Sequence, residues 1–459
     1  MIKSVNDFNS VFFIGIAGVG MSAIAQWLAA EGKTVSGSDR YFVPNQPNEI
    51  REKLEAEGIA CFEQNGEGLS AATQLVVVST AIEDTVAEVK KAKELQIPII
   101  RRSELLAIIA AGKQTIAVGG TSGKSTSSAM LFQIMEAAGM EPGIISGAGL
   151  VSLIKQGKIG NAKNGKGPWL IIEADESDGS IVQYRPQVGL LLNIDKDHQE
   201  IDELMQLFSR FQQNTTGLFV VNQGNALAKQ LSLNAAQDFS GNPGDDAGYR
   251  CTSFNQQGMK LYFAINKFPF LLHTVGRHNM ENALAAVAVA HQLGVNYKTA
   301  ALALKGYEGI YRRHQLLGIK NNITVIDDYA HNPAKCAASI KACQPLAPKV
   351  VAWFQPHGYG PTRFLRKEFV QEIAAALRDD DEIWMSEIFY AGGTAVKDIS
   401  AADLIQDIKA LGKNAYFVAD RNQLVTTLRP HLQGPAVLLL MGARDPGLEA
   451  FGKNVFEQL

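Results

Sequence analysis

Thr115-Ile116-Ala117-Val118-Gly119-Gly120-Thr121-Ser122-Gly123-Lys124-Ser125-Thr126 runs from an apolar segment through a glycine turn into the helical pattern Ser125–Ala138. A strand, a tight turn and a helix in that order make the beginning of a βαβ unit, and so of a parallel sheet. Glycines let backbone N–H groups turn toward an anion, and the positive end of the following helix adds to their pull. Lys124 can reach β- and γ-phosphates, and the Ser125 hydroxyl can take a place on Mg²⁺. The full spacing of a phosphate loop asks for glycine five residues before Gly123, where this chain has Val118. The loop is thus a shortened variant. An ordinary glycine turn could carry the same letters, and the strand–turn–helix setting is what favours a nucleotide.

Downstream, the apolar strand Leu170–Glu173 opens into Glu173-Ala174-Asp175-Glu176-Ser177-Asp178. Carboxylates crowded at a strand end repel one another unless water or a cation neutralises them. Alone this would read as a solvated acidic loop. Beside a phosphate loop it reads as a partner for Mg²⁺, which needs carboxylate and phosphate oxygens together. The next strand, Val188–Ile194, ends similarly in Asn193-Ile194-Asp195-Lys196-Asp197-His198. That places His198 at the sheet edge where ligands of open α/β sheets bind.

The same alternation extends in both directions. Before the loop, strands are expected at Val11–Ile16, Thr34–Ser38, Leu75–Ser79 and Pro98–Arg101, with helices at Met21–Glu31 and Val86–Leu95. After it, residues 218–275 are richer in Gly, Asn and Gln, with β-like runs such as Met259–Ile265, and Arg277–Leu293 is an Ala-rich helix. A third set follows, with strands at Ile323–Ile326, Lys349–Phe354, Glu382–Ser386 and Ala436–Met441. The expectation is an α/β chain of three domains: Rossmann-like over residues 1–107, a central sheet of P-loop ATPase type over 108–312, and Rossmann-like over 313–459. The chain's 459 residues suit that count at roughly 100–200 per domain.

A formal charge of -3 gives no global attraction to nucleic acid or an anionic membrane, so an anionic ligand needs a local site. Cys61, Cys251, Cys336 and Cys343 make no CxxC pair, which fits buried thiols in a reducing compartment. The apolar run Val11–Ala30 imitates a signal sequence, but it holds Gly15, Gly18 and Gly20 in a turn-like cluster and has no basic run before it. With no segment reading as a membrane span, a cytoplasmic protein is expected.

Taken together, these stretches resemble the Mur ligases. Gly276-Arg277-His278-Asn279-Met280-Glu281-Asn282-Ala283 is similar to that family's GxHNxxNxxAA helix, and Arg312-Arg313 to the arginine pair opening its third domain. Asp327-Asp328-Tyr329-Ala330-His331-Asn332-Pro333 resembles its DDYxHxP loop, and Phe354-Gln355-Pro356-His357 its FQPH loop. In the first domain Gly15-Ile16-Ala17-Gly18-Val19-Gly20-Met21-Ser22, Gly37-Ser38-Asp39 and Val78-Ser79-Thr80-Ala81-Ile82 look most like the alanine-adding branch.

The resemblance implies an ATP- and Mg²⁺-dependent ligase that joins an amino acid to the carboxylate of UDP-N-acetylmuramate through an acyl-phosphate, in peptidoglycan precursor synthesis. Lys124, Glu173 and His198 would be catalytic, with Ser125, Glu173 and His198 holding metal. Gly120, Thr121, Ser122, Gly123, Lys124, Ser125 and Thr126 would hold the ATP phosphates. Asn279 and Asn282 would orient adenine, Asp327 the ribose, and Arg313 would approach phosphate. Gly15, Ala17, Gly18, Val19, Gly20, Met21, Ser38, Asp39, Ser79 and Thr80 would hold the UDP-sugar. Tyr329, His331, His357 and Arg363 would line the amine pocket. A monomer or homodimer is expected, acting on small molecules.

Three positions depart from the family pattern. Ser122 replaces the usual histidine of the loop, and Gly358 and Pro361 stand where the alanine-adding branch has arginines for the amino acid's carboxylate. A fixed fork of donors is lost at each of the last two. They leave open a tripeptide-recycling muramate ligase, or a catalytically silent relative that only binds UDP-sugar and ATP. A nicotinamide-dependent oxidoreductase built on the first domain would leave Gly120–Ser125 without a purpose.

Overall fold

The computed structural model describes residues 2–80, 82–195, 200–390 and 396–459. Residues divide into two compact units, one of 1–253, 263–271 and 280–310, the other of 254–262, 272–279 and 311–459.

The first unit holds two sheets. One is wholly parallel, in the spatial order Ala60–Glu63, Thr34–Asp39, Ser10–Ile14, Leu75–Val78, Ile99–Arg101. Chain order reverses across Ser10–Ile14, so the turn at Gly15–Gly18 opens at a topological switch point. The second sheet runs Leu218–Val221, Val188–Leu191, Gln114–Gly119, Trp169–Ala174, Gly143–Ile145, Ala162–Lys163. It is parallel except for the last strand. Gln114–Gly119 is its switch strand: later strands lie on both sides of it, and the phosphate-type loop leaves its end.

One apolar cluster serves both sheets. Phe13, Trp27 and Leu28 from the first join Leu105, Leu106 and Ile109 of helix Arg102–Ala111, then Ala117, Leu170 and Phe208 of the second. The boundary expected near residue 107 thus falls inside a helix whose buried face belongs to that shared cluster. Buried polar bonds add direction to the packing. Asn161 donates to Val19 O at 2.7 Å and to Ser22 Oγ at 2.9 Å, and it accepts from Gln26 Nε2 at 2.8 Å. These tie helix Val19–Ala30 to the second sheet. A small four-stranded sheet, from Phe239–Ser240 to Phe268–Leu272, follows.

In the second unit the order is Gln315–Lys320, Ile323–Asp328, Ala436–Gly442, Lys349–Gln355, Glu382–Met385, Asn414–Phe417. Only the first pair is antiparallel. Ala436–Gly442 is buried at every position, as a strand covered on both faces must be. Among the described residues no helix is long and apolar enough to cross a membrane.

Candidate active site

Gly123 has φ +87 and caps helix Lys124–Ala137, supplying no side-chain cap to the helix's first N–H groups. Those donors are orphans of the kind an anion satisfies. Asn193 locks the loop from the neighbouring strand end. Its Oδ1 accepts from Thr121 Oγ1 and Ser122 N, both at 2.8 Å, and its Nδ2 donates to Ser122 O at 3.1 Å. Asn282 packs on the loop's other side, accepting from Ser127 Oγ at 3.2 Å. A Cβ at Gly123 would overlap Asn282 Oδ1. The Gly123→Ala variant is therefore expected to lose about 1–2 kcal/mol from the left-handed backbone alone, and to weaken ATP binding by displacing Asn282. Urea melts and titration with a non-hydrolysable ATP analogue measure both.

Lys124 meets the acidic strand end directly. Its Nζ lies 2.7 Å from Glu176 Oε2, 3.8 Å from Asp175 Oδ1, and donates to Gly120 O at 2.7 Å. Burial works against the ammonium charge, but Glu176, then Asp175 and Glu173, more than offset it and raise the pKa. Burial also raises the Asp175 carboxyl, and there Lys124 and the Ser177 N–H prevail, leaving it below its ordinary value. For Glu176 burial outweighs Lys124, and its carboxyl stays raised. The P-loop lysine is held charged, aimed by carboxylates that occupy its donors.

Glu173 is the next-to-last residue of strand Trp169–Ala174 and receives three donors: Ser125 Oγ at 2.9 Å, Ser146 Oγ at 2.7 Å and Gly147 N at 2.6 Å. Among the described residues no three His, Cys, Asp or Glu side chains form a ready metal cluster. A hydroxyl beside one carboxylate still suits Mg²⁺, which takes few protein oxygens and completes its shell with phosphate and water. His198 lies outside the described residues. Ser122 and Thr126 are partly exposed on the loop and its first helical turn.

The first sheet carries a second anion-ready turn. Gly15 N and Ile16 N donate to Ser38 O at 2.8 and 3.0 Å. Asp39, buried, accepts from Ala17 N at 2.9 Å and Tyr41 N at 3.1 Å, so its carboxylate shapes the turn. Gly18 caps helix Val19–Ala30 without a side-chain acceptor, leaving Gly18 and Val19 exposed and Gly20 partly so, ahead of buried Met21. The Ser38 hydroxyl is fully buried and, among the described residues, has no hydrogen-bond partner. Ser79 is half-buried and Thr80 exposed at the end of the adjacent strand.

In the second unit, Asp327 gives both carboxylate oxygens to Arg312, at 2.8 and 3.1 Å, and Arg312 also donates to Gly442 O at 3.0 Å. Burial raises the Asp327 carboxyl despite that pairing. Asp327, the residue expected at the ribose, thus also anchors the neighbouring arginine. The Arg313 guanidinium lies over the Tyr329 ring, 5.0 Å from its centroid. His331 bonds Tyr329 O through Nδ1 at 2.8 Å, and its ring is 5.7 Å from that of His357. Burial, then Lys335, push His331 down to about 3, so it is neutral at pH 7. Gly358 N donates to Phe389 O at 2.9 Å, joining the 357 and 389 segments. Arg363 is ion-paired with Asp398 and donates to Val396 O at 3.1 Å. Asn279 turns inward, donating to Val275 O at 2.8 Å.

Lys124, Ser125, Glu173 and Asn282 therefore converge within one unit. Sequence reasoning did not single out Asn193 or Glu176, though both stood in the stretches it quoted. A strand-end asparagine opposite a glycine loop is the signal that could have marked the first.

Three family models match in series: "Mur ligase family, catalytic domain" over residues 10–114, "Mur ligase middle domain" over 118–290, and "Mur ligase, glutamate ligase domain" over 312–444. The chain is 34% identical to a UDP-N-acetylmuramate–L-alanine ligase of Carboxydothermus hydrogenoformans, covering 98% of each. It is 33% identical to one of Syntrophomonas wolfei, covering 95% of this chain and 94% of that one. The crystal structure of the Thermotoga maritima UDP-N-acetylmuramate–alanine ligase superposes with a TM-score of 0.80 at 25% identity, covering 98% of each. A murein peptide ligase from Psychrobacter arcticus shares the fold, with a TM-score of 0.68 at 21% identity over 98% of each. With models matched from residue 10 to residue 444 and relatives aligned end to end, the chain belongs to the Mur ligase family.

Proposed function

We propose that the protein is a cytoplasmic ligase that uses ATP and Mg²⁺ to join an amino acid to the carboxylate of UDP-N-acetylmuramate in peptidoglycan precursor synthesis. The observation that carries this reading is the loop pair of the first unit. A phosphate loop with a charged lysine and an acidic strand end lies in the same compact body as a second capless helix turn suited to a diphosphate.

The chemistry follows from charge. A carboxylate resists an amine until one of its oxygens becomes a leaving group. The UDP-sugar carboxylate attacks the γ-phosphorus of ATP, and the bond to the β-phosphate oxygen breaks, giving ADP and an acyl-phosphate. The amine then attacks the acyl carbon, phosphate departs, and the amine nitrogen loses its extra proton. Lys124 would leave Glu176 for the phosphoryl oxygens as charge develops there, and the loop N–H groups would fix the β-phosphate. Asn193 keeps those N–H groups pointed correctly, and Asn282 sets the loop's outer wall. Mg²⁺, with Ser125 expected to hold one ion and Glu173 and His198 a second, would neutralise phosphate charge.

The amine is where this chain departs from the alanine-adding pattern. A free α-carboxylate beside an acyl-phosphate needs a cation. Gly358 and Pro361 supply none, and Arg363 is committed to Asp398. We expect an L-alanine KM at least about tenfold above that of an arginine-bearing relative, a loss of about 1.4 kcal/mol. The open surface at Gly358–Pro361 favours, as a second reading, a muramyl-peptide-recycling ligase whose amine carries its carboxylate further away. Arginine at position 358 would be strained, since Gly358 has φ +73, so Pro361→Arg is the better gain-of-function variant. An amino-acid and peptide panel with UDP-N-acetylmuramate, ATP and Mg²⁺, read by phosphate release and product mass, tests all of this. Micromolar KM for L-alanine in the unmodified protein would reassign the carboxylate to Arg363 or Arg313.

A further inference from the structure

We infer that the groove between the short helix Ser180–Gln183 and helix Ile201–Asn214 is a peptide site, taking a chain of about three residues with free amino and carboxyl ends. The inference concerns a surface outside the loops assigned above and does not depend on the proposed reaction.

The groove lies within the first unit and holds about 960 Å³, a size suited to a small ligand. Helix Ile201–Asn214 buries Leu204, Phe208 and Phe211 in the shared apolar cluster, which turns Glu203, Gln206 and Arg210 along its groove side. Opposite, Ile181 and Tyr184 point inward and leave Val182 36% exposed. Asn214 Nδ2 donates to Val182 O, and Thr216 N donates to Pro186 O, both at 2.8 Å. These bonds pin the two walls together at the helix's C-terminal end, so the groove is preformed.

Charge is separated along it. Arg185 precedes the pinned Pro186 and so joins Arg210 toward the C-terminal end of the helix. Glu203 stands in the first turn, toward the other end. Arg185, Arg210 and Glu203 are exposed, and among the described residues none of the three is in an ion pair. An acid early and a base late is an order the helix dipole favours by itself. Arg185 is off the helix, however, and adds a like charge that the dipole does not account for. A carboxylate held by both guanidiniums removes that repulsion.

The spacing sets the ligand's length. Glu203 and Arg210 are seven positions apart, about 10 Å along the helix axis. An extended tripeptide spans about the same distance from its amino to its carboxyl end. Its ammonium meets Glu203 and its carboxylate meets Arg185 and Arg210. The exposed amides of Gln183 and Gln206 can both donate to and accept from its peptide groups. Val182 and the partly exposed Leu207 offer small side chains an apolar surface.

Titration calorimetry of the whole protein with trialanine tests this, with N-acetyl-trialanine and trialanine amide as end-blocked controls. Trialanine should bind, and blocking either end should weaken it by about fivefold, the scale of an exposed charge pair. Arg185→Gln and Arg210→Gln should each weaken trialanine and N-acetyl-trialanine but not the amide, which has already lost its carboxylate. Glu203→Gln should weaken trialanine and the amide while leaving N-acetyl-trialanine unchanged. A structural brace would not give that crossed pattern, and urea melts should leave all three variants at the parent's midpoint. Absence of binding at millimolar trialanine, by calorimetry and by equilibrium dialysis, overturns the inference. Binding that none of the three variants changes overturns it too, since the peptide then sits elsewhere. Equal weakening of all three peptides by a variant also overturns it, marking a disturbed fold rather than a lost contact.

Discussion

Lys124→Ala should release phosphate from ATP, UDP-N-acetylmuramate and amine at least about 10³-fold more slowly than the parent, with the chain still folded. Two effects need separating. Lys124 Nζ lies 2.7 Å from Glu176 Oε2, and burial already raises that carboxyl. Removing the lysine takes this counter-charge from a buried carboxylate, and losing one partner of a buried pair costs up to about 3–5 kcal/mol. The lysine side chain is 15% exposed and the glutamate's 8%, so the loss should fall at the lower end. The double variant Lys124→Ala/Glu176→Gln removes the carboxylate charge together with the lysine. It should regain most of the stability by urea melt and none of the turnover. Recovery of turnover in the double variant would mean that Lys124 matters only as a partner for Glu176.

How far the sequence speaks depends on what each residue contacts. Gly119–Thr126 was legible because glycines, lysine and a hydroxyl in a strand–turn–helix frame have few other uses, and the structure puts them at the switch strand of the second sheet. The buried central strands were legible as continuous apolar runs. Ala60–Glu63 and Asn414–Phe417 were not read as strands, because they lie at sheet edges and mix exposed with buried positions. Gln315–Lys320 escaped for the same reason, with a bulge between Leu316 and Gly318 breaking its alternation. Side-chain partners were less legible still. Asp39, Asp327 and Arg363 are the right residue types for ligand contacts, yet each is engaged within the protein: Asp39 by backbone N–H groups, Asp327 by Arg312 and Arg363 by Asp398. Local letters name a chemistry, whereas the distant chain segments that compete for it are set by topology. Arg102 shows this most clearly, since its neighbours Gly20 and Asp178 are 82 and 76 positions away.

Glu173→Ala should raise the Mg²⁺ concentration for half-maximal rate by at least about tenfold and lower the saturated rate by about 10²-fold, the scale of one carboxylate's share in stabilising phosphoryl transfer. The carboxylate ends the strand beside the phosphate loop, and its Oε2 already holds the Ser125 hydroxyl, the other expected metal ligand. Alanine also strips Ser146 Oγ and Gly147 N of their acceptor, which could disturb the turn after Gly143–Ile145 without touching metal. Glu173→Gln separates the two effects. It keeps an acceptor oxygen and the side chain's shape but removes the negative charge that Mg²⁺ prefers. The glutamine variant should melt like the parent and still demand more Mg²⁺. Asp178→Asn serves as the internal contrast, because Asp178 faces Arg102 and Ser180 and should leave the Mg²⁺ requirement unchanged. His198→Ala, at the position expected to complete the set, should behave like Glu173→Ala. Equal Mg²⁺ curves for the Glu173, His198 and Asp178 variants would place the metal elsewhere. A normal Mg²⁺ curve for Glu173→Gln with a damaged one for Glu173→Ala would reduce Glu173 to a brace for the Ser146–Gly147 turn.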